Sequence, residues 1–344
     1  MTSPVTPDSR TPDPSVAPPL NWGILAPGGI AATFVAAAQK FTRQRFVAAG
    51  SRSLDRARGF ADAHGIPKAY GSYEELVADP EVDAVYVASP HSEHHDHALL
   101  AIEAGKHVLV EKAFTRNAAE ARAVVAAGRA ADVTVMEAMW ARFMPRADVV
   151  RQLLADGALG ELETVLADHG QALTHVKRLM DPALAGGALL DLGIYPVSYA
   201  VFVLGVPGRV QAVGDLTPDG VDRQVAIVLD QFPDHPHARA VLHTTLAAAT
   251  PTSASISGSA GRIELAPPFY NPGTVRLVTR AGEAIWPGDG QVGHEAMSHE
   301  AAHFAQLVAD GHRESPLLPL AETVAIMELM DEIRAQVGVR YPGE

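Results

Sequence analysis

The chain has 344 residues, 47% of them hydrophobic, and carries 27 Lys+Arg against 40 Asp+Glu for a net charge of −13. That length predicts two domains rather than one core, and the negative balance argues against nucleic acid as a partner. The absence of cysteine removes disulfides, thiolate metal sites and cysteine nucleophiles together.

Residues 1–20 are rich in Pro, Ser, Thr and Asp and lack the apolar run of a secretory signal. They read as a disordered leader, the alternative being a proline-rich arm lying extended across a neighbouring subunit. No apolar stretch approaches the length that spans a bilayer, because charge interrupts the alanine-rich segments. A cytoplasmic protein with no membrane partner is the expectation.

Asn21–Leu25 reads as a buried strand, followed by the glycine turn Ala26-Pro27-Gly28-Gly29 and an apolar helix from Ile30 to about Lys40. Phe46–Gly50 is a second strand, and Ser53 caps a helix to His64. Ala84–Ala88, His107–Val110 and Thr134–Glu137 are further strands, separated by a helix over His95–Ala104 and one opening at Asn117. Short loops and regular β-α alternation predict a doubly wound parallel sheet, assigned to residues 21–141. Beyond Arg142 the pattern changes. A helix over Ala147–Ala155 leads to period-2 strands at Glu163–Ala167, Val225–Leu229 and Ala238–His243, with a glycine turn at Gly258–Arg262 and helices over Glu300–Asp310 and Leu320–Val337. Residues 142–344 are therefore expected to form an α/β domain with a large, mostly antiparallel open sheet.

A strand, a glycine turn and a helix form the unit that receives a pyrophosphate on a helix N-terminus. Ala26, Pro27, Gly28, Gly29 and Ile30 are the candidate loop, with Gly28 at the point of close approach, Ala31 as the small packing residue and Ala26 in place of the usual first glycine. The second strand ends in Gly50-Ser51-Arg52-Ser53 without the acidic residue that would bind a ribose and repel a 2′-phosphate. Ser51 and Arg52 suit that phosphate, so NADP is favoured over NAD. Ser89, Pro90, His91 and His94 form a turn and helix start after the third strand and are candidate cofactor contacts. Glu111 and Lys112 end a buried strand, where charge faces the ligand crevice of an open α/β sheet.

With these residues, and with the segment Gly186-Gly187-Ala188-Leu189-Leu190-Asp191-Leu192-Gly193-Ile194-Tyr195-Pro196, the chain resembles the Gfo/Idh/MocA family of nicotinamide-dependent oxidoreductases over Asn21 to Tyr341. The Glu137–Pro145 segment resembles the family's crossover between domains. The branch it resembles holds dimeric dihydrodiol dehydrogenases, NADP-dependent xylose dehydrogenases and glucose-fructose oxidoreductase. The resemblance implies an N-terminal Rossmann domain and a second domain whose open sheet mediates oligomerisation, as a homodimer or homotetramer. Three positions depart from the family pattern: Ala26 replaces a glycine, Ala113 follows Lys112 where many members have proline, and Tyr195 stands where the inositol-dehydrogenase branch has histidine.

Oxidising a secondary alcohol needs a group to take the hydroxyl proton as hydride leaves. Tyrosine titrates near 10 and needs a nearby cation to do this at neutral pH. The resemblance therefore implies Tyr195 as acid-base, Lys112 as the cation that lowers its pKa, and Asp191 as an orienting acceptor, unless Asp191 is a helix cap. Trp140, Arg142 and Arg178 are candidate contacts for a small substrate, a sugar or a trans-dihydrodiol. The alternative function is a non-catalytic NADP-binding regulatory protein. His299-Glu300-Ala301-Ala302-His303 matches a zinc pattern, and His91, His94, His95 and His97 cluster; neither is expected to hold a metal in a chain whose other motifs bind a dinucleotide.

Overall fold

The structure, a computed structural model, describes residues 3–344. The chain forms two units, one of Pro12–Phe143 with Gly293–Met327, the other of residues up to Thr11, Met144–Val292 and Glu328–Glu344.

In the first unit, strands β1 (Asn21–Leu25), β2 (Arg45–Gly50), β3 (Lys68–Tyr70), β4 (Ala84–Val87), β5 (His107–Glu111) and β6 (Val135–Ala138) alternate with α1 (Gly29–Phe41), α2 (Leu54–His64), α3 (Tyr73–Val77), α4 (His94–Glu103) and α5 (Ala118–Ala130). All strand pairs are parallel, in the order β3-β2-β1-β4-β5-β6, which is the doubly wound Rossmann arrangement. β4 and the last four residues of β5 are buried, as expected for strands covered by helices on both faces. Trp22, Phe34 and Tyr86 form its aromatic core, with Phe34 stacked on Tyr86 at 4.0 Å.

The second unit holds α6 (Pro145–Ala155), β7 (Leu162–Gly170), α7 (Ile194–Leu204) and β8 to β14 (Arg209–Leu216, Asp222–Asp230, Arg239–Thr245, Ala254–Gly258, Gly261–Leu265, Val275–Thr279 and Gly282–Trp286). The eight strands run β14-β13-β12-β11-β7-β10-β9-β8, antiparallel except for β7 beside β10. One face carries exposed Leu166, Val213, Val241 and Ile285. Two helices close the chain, α8 (Met297–Ala309) in the first unit and α9 (Leu320–Val337), whose residues from Glu328 onward group with the second.

Three expectations are corrected. Residues 3–20 are ordered rather than a disordered leader: the Arg10 side chain donates to Asp148 at 2.8 Å, Gln152 donates to the Asp8 carbonyl, Asp13 caps a 3-10 turn over Pro14–Val16, and Gln44 and Arg43 hold the carbonyls of Pro18 and Ala17. Residues 1–2 lie outside the described residues. The stretch 142–344 is not one domain, because α8 packs into the Rossmann unit, where Phe304 meets Trp22 at 5.2 Å. Finally, one apolar segment, Pro182–Leu204, does match a membrane span in length and composition, but 94% of its apolar window is buried, as in a core helix.

Candidate active site

In the first unit, β1 ends at Leu25 and the chain turns through Ala26, which adopts the left-handed φ of 60° that glycine adopts more readily. Gly28 is extended, and α1 starts at Gly29 with no side-chain cap, leaving its first N–H groups to a ligand. A Cβ on Gly28 would meet nothing closer than the Ala26 carbonyl at 3.9 Å, and one on Gly29 would meet nothing within 4 Å. The protein's own packing does not require glycine at either position, so the open space over the helix start fits a pyrophosphate. Ala31 is fully buried and Ile30 partly so. Pro27 completes the turn.

Ser51 is buried, with its N–H on the Tyr70 carbonyl at 3.2 Å, and its hydroxyl accepts from Ser53. Arg52 is exposed and acts on the Tyr73 hydroxyl, opposing the rise that burial imposes on this phenol. Ser53 caps α2, as expected. The strand end thus offers hydroxyls and a guanidinium and no carboxylate.

The Ser89-Pro90-His91 turn leads into a 3-10 turn over His91–Glu93 and then α4. His94 is buried, with Nδ1 2.9 Å from the Ala113 carbonyl and Nε2 2.8 Å from the Ser89 carbonyl. Burial pushes it down to about 4. Its ring ties the loop after β4 to the loop after β5, and His91 packs edge-on against it at 5.5 Å.

Glu111 is buried, accepting from the Tyr86 hydroxyl and from the Lys112 N–H at 3.1 Å. It therefore sets the Lys112 backbone through bonds inside the protein. The Lys112–Ala113 peptide bond is cis. The Lys112 cation helps burial to push His294 down, and His294 faces Trp140 at 5.4 Å. Trp140 is 2% exposed. Arg142, a candidate substrate contact, is buried and its side chain pairs with Glu322. Sequence reasoning missed His294, which lies far along the chain from Lys112, and the buried Glu137, pushed up to about 7 by burial while accepting from the Phe114 N–H.

In the second unit the Gly-Gly segment has a packing cause. A Cβ on Gly186 would lie 2.6 Å from the Leu179 carbonyl oxygen, and one on Gly187, whose φ is 115°, would overlap the Asp222 carboxylate. Asp222 is buried and pushed up to about 6 by that burial; its Oδ2 accepts from the Leu189 N–H at 2.5 Å. This fixes the start of a π-helical turn, Leu189–Gly193, that runs into α7. Asp191 lies inside that turn and caps no helix. It is buried and paired with Arg178 at 3.1 Å, so these two predicted residues are brought together. Tyr195, one turn further on, is 7% exposed. It stacks on Tyr270 at 4.5 Å and meets His169 edge-on at 5.4 Å. Burial and the Asp191 charge both push Tyr270 up. Neither His169 nor Tyr270 was found from sequence; continuing the β7 alternation past Ala167 would have placed His169 on a buried face.

Among the described residues no group of three or more His, Asp or Glu is placed to hold a metal. In the His299–His303 segment, Glu300 is fully buried and His303 stacks on Phe143 while bonding Ser315. His91 and His94 are taken up by the turn already described.

Residues 20–139 match the oxidoreductase family with NAD-binding Rossmann fold, GFO_IDH_MocA, and residues 147–264 match its C-terminal domain model. The chain is 39% identical over 333 residues to the trans-1,2-dihydrobenzene-1,2-diol dehydrogenase of Homo sapiens, covering 94% of this chain and 98% of that protein. The enzyme of the same name from Bos taurus is 38% identical over 334 residues, with 94% and 98% covered. Among solved structures, KijD10, a 3-ketoreductase from Actinomadura kijaniata in complex with NADP and TDP-benzene, superposes with a TM-score of 0.82 at 25% identity, covering 93% of this chain and 98% of that one.

Proposed function

This chain belongs to the Gfo/Idh/MocA oxidoreductase family, as a NAD(P)-dependent dehydrogenase or reductase acting on CH–OH groups, and we propose that it uses NADP to oxidise a sugar or trans-dihydrodiol, or to reduce the matching carbonyl. The nicotinamide, when bound, supplies the hydride acceptor or donor. The observation that carries this reading is Tyr195, set in an aromatic cluster beside the Asp191–Arg178 pair on a turn whose geometry Asp222 and Gly187 define.

Tyr195 holds the proton that the alcohol oxygen loses or the carbonyl oxygen gains. Lys112, with its backbone set by Glu111, is the cation that favours the phenolate and polarises the substrate oxygen. Asp191 accepts a substrate hydroxyl and Arg178 holds that carboxylate in place. The uncapped start of α1 binds the pyrophosphate, and Ser51 with Arg52 binds a 2′-phosphate. The dihydrodiol dehydrogenases at 38% and 39% identity support the substrate class. The exposed apolar side chains on the open sheet, Val213 and Ile285 among them, support a homodimer or homotetramer, and a cytoplasmic location completes the reading.

A turnover screen over aldoses and trans-dihydrodiols, with NADP and NAD in parallel, tests it. NADPH formation with a diol or sugar is the expected result; NAD preference contradicts the role of Ser51 and Arg52, and turnover of neither class contradicts the whole reading.

A further inference from the structure

Three side chains beside Tyr195 share a hydrogen-bonded chain that proton transfer alone does not require. His169, 1% exposed, has Nδ1 3.1 Å from the Leu192 carbonyl. A carbonyl only accepts, so Nδ1 carries the proton and Nε2 is a lone pair. That lone pair takes a bond from the Gln171 amide at 3.0 Å, and the same amide nitrogen reaches the Tyr270 hydroxyl oxygen at 3.4 Å. The amide engages a lone pair of the phenol, so Tyr270 keeps the character of a hydroxyl donor.

The position of Tyr270 is fixed from several sides. Its ring stacks on Tyr195 at 4.5 Å with 28° between planes, and lies 4.6 Å from His169. The loop that carries it is gripped by buried Arg146, whose guanidinium donates to the carbonyls of Ala266 and Asn271 at 2.7 Å and of Thr274 at 3.0 Å. Leu192, where the chain of bonds begins, sits between Asp191 and Tyr195 on the π-helical turn. One network thus registers a second phenol to the turn that leads into the helix bearing the proposed acid-base group. A phenol in that place, partly exposed, is suited to a hydroxyl next to the reacting one.

We propose that Tyr270 is a substrate-binding residue that donates a hydrogen bond to the hydroxyl neighbouring the reacting carbinol, so that the site selects vicinal diols and polyols over simple secondary alcohols. His169 and Gln171 are positioning residues that aim it. This rests on the reading of Tyr195 as the acid-base residue and narrows the substrate class of that same site.

The test compares trans-cyclohexane-1,2-diol with cyclohexanol, binding each by calorimetry to the full-length NADP complex and following NADPH formation in the same samples. Tyr270→Phe keeps the ring that packs on Tyr195 and removes the hydroxyl. It should raise the diol Kd about 10- to 100-fold and leave cyclohexanol within about threefold. Gln171→Leu should raise the diol KM by a smaller factor with kcat unchanged. Equal effects on both ligands, or no effect on either, overturn the inference. Diol that binds with the predicted discrimination but yields no NADPH supports Tyr270 as the selector and contradicts only the proposed NADP-dependent diol oxidation with Tyr195 as acid-base.

Discussion

The Asp222 carboxylate lies against Gly187, with its Cγ 2.9 Å from where a Cβ on that glycine would sit. Gly187 also has a left-handed φ of 115°, so an added methyl is opposed by sterics and by backbone conformation together. Gly187→Ala should destabilise the second unit by about 2–4 kcal/mol, seen as a lower denaturation midpoint. A midpoint equal to wild type would show that Asp222 does not fix this turn.

Gly28 makes the opposite case. A Cβ there meets only the Ala26 carbonyl at 3.9 Å, ordinary contact, so Gly28→Val should leave the melting temperature nearly unchanged. NADP affinity should fall at least about tenfold, because the branched side chain fills the approach to the pyrophosphate. Titration of NADP into both proteins checks this, and unchanged affinity would remove the loop from the cofactor site.

Ala26 occupies left-handed φ space at 60°, which costs an L-residue about 1–2 kcal/mol. Ala26→Gly should therefore stabilise the protein by up to about 1 kcal/mol, after the extra unfolded-state entropy of glycine is deducted. A loss of stability in urea denaturation would contradict the strain.

His94 sets a pH dependence. Its folded pKa, about 4, lies below the ordinary 6.5 because burial penalises the charged ring. The unfolded chain therefore binds more protons between these values, and stability falls as pH drops from 6.5 through 4. The contribution is about 3 kcal/mol. Glu137, raised to about 7 by burial, has the opposite sign, its contribution being lost as pH rises from about 4.5 through 7. Comparing wild type with His94→Gln at pH 7 and pH 4.5 isolates the histidine: the variant should lose less stability on acidification. An unchanged acid loss would place His94 in water.

Much of the first unit was legible because its signals are local. Apolar runs such as Ala84-Val85-Tyr86-Val87 are buried strands, Ser53 and Asn117 cap the helices that follow them, and the Glu111-Lys112 pair ends a strand. What was missed depends on distant partners. Residues 3–20 look disordered by composition, but their order comes from Asp148, Gln152 and Gln44. Helix α7 is apolar on nearly every side, so it has no amphipathic period to read. Tyr270 lies in a loop whose shape depends on Arg146 far upstream, and His169 on a β7 extension whose alternation breaks at Gly170. Asp191 and Arg178 were each legible as candidates; only the fold shows that they pair.

The central claim is that Lys112 and Tyr195 carry the proton chemistry while other residues bind the cofactor. The most direct measurement is the hydride-transfer rate of Lys112→Met and Tyr195→Phe in single-turnover mixing with a saturating diol or sugar, alongside NADP affinity. Each variant should bind NADP within about threefold of wild type and transfer hydride at least about 100-fold more slowly. Wild-type transfer in either variant would contradict the account.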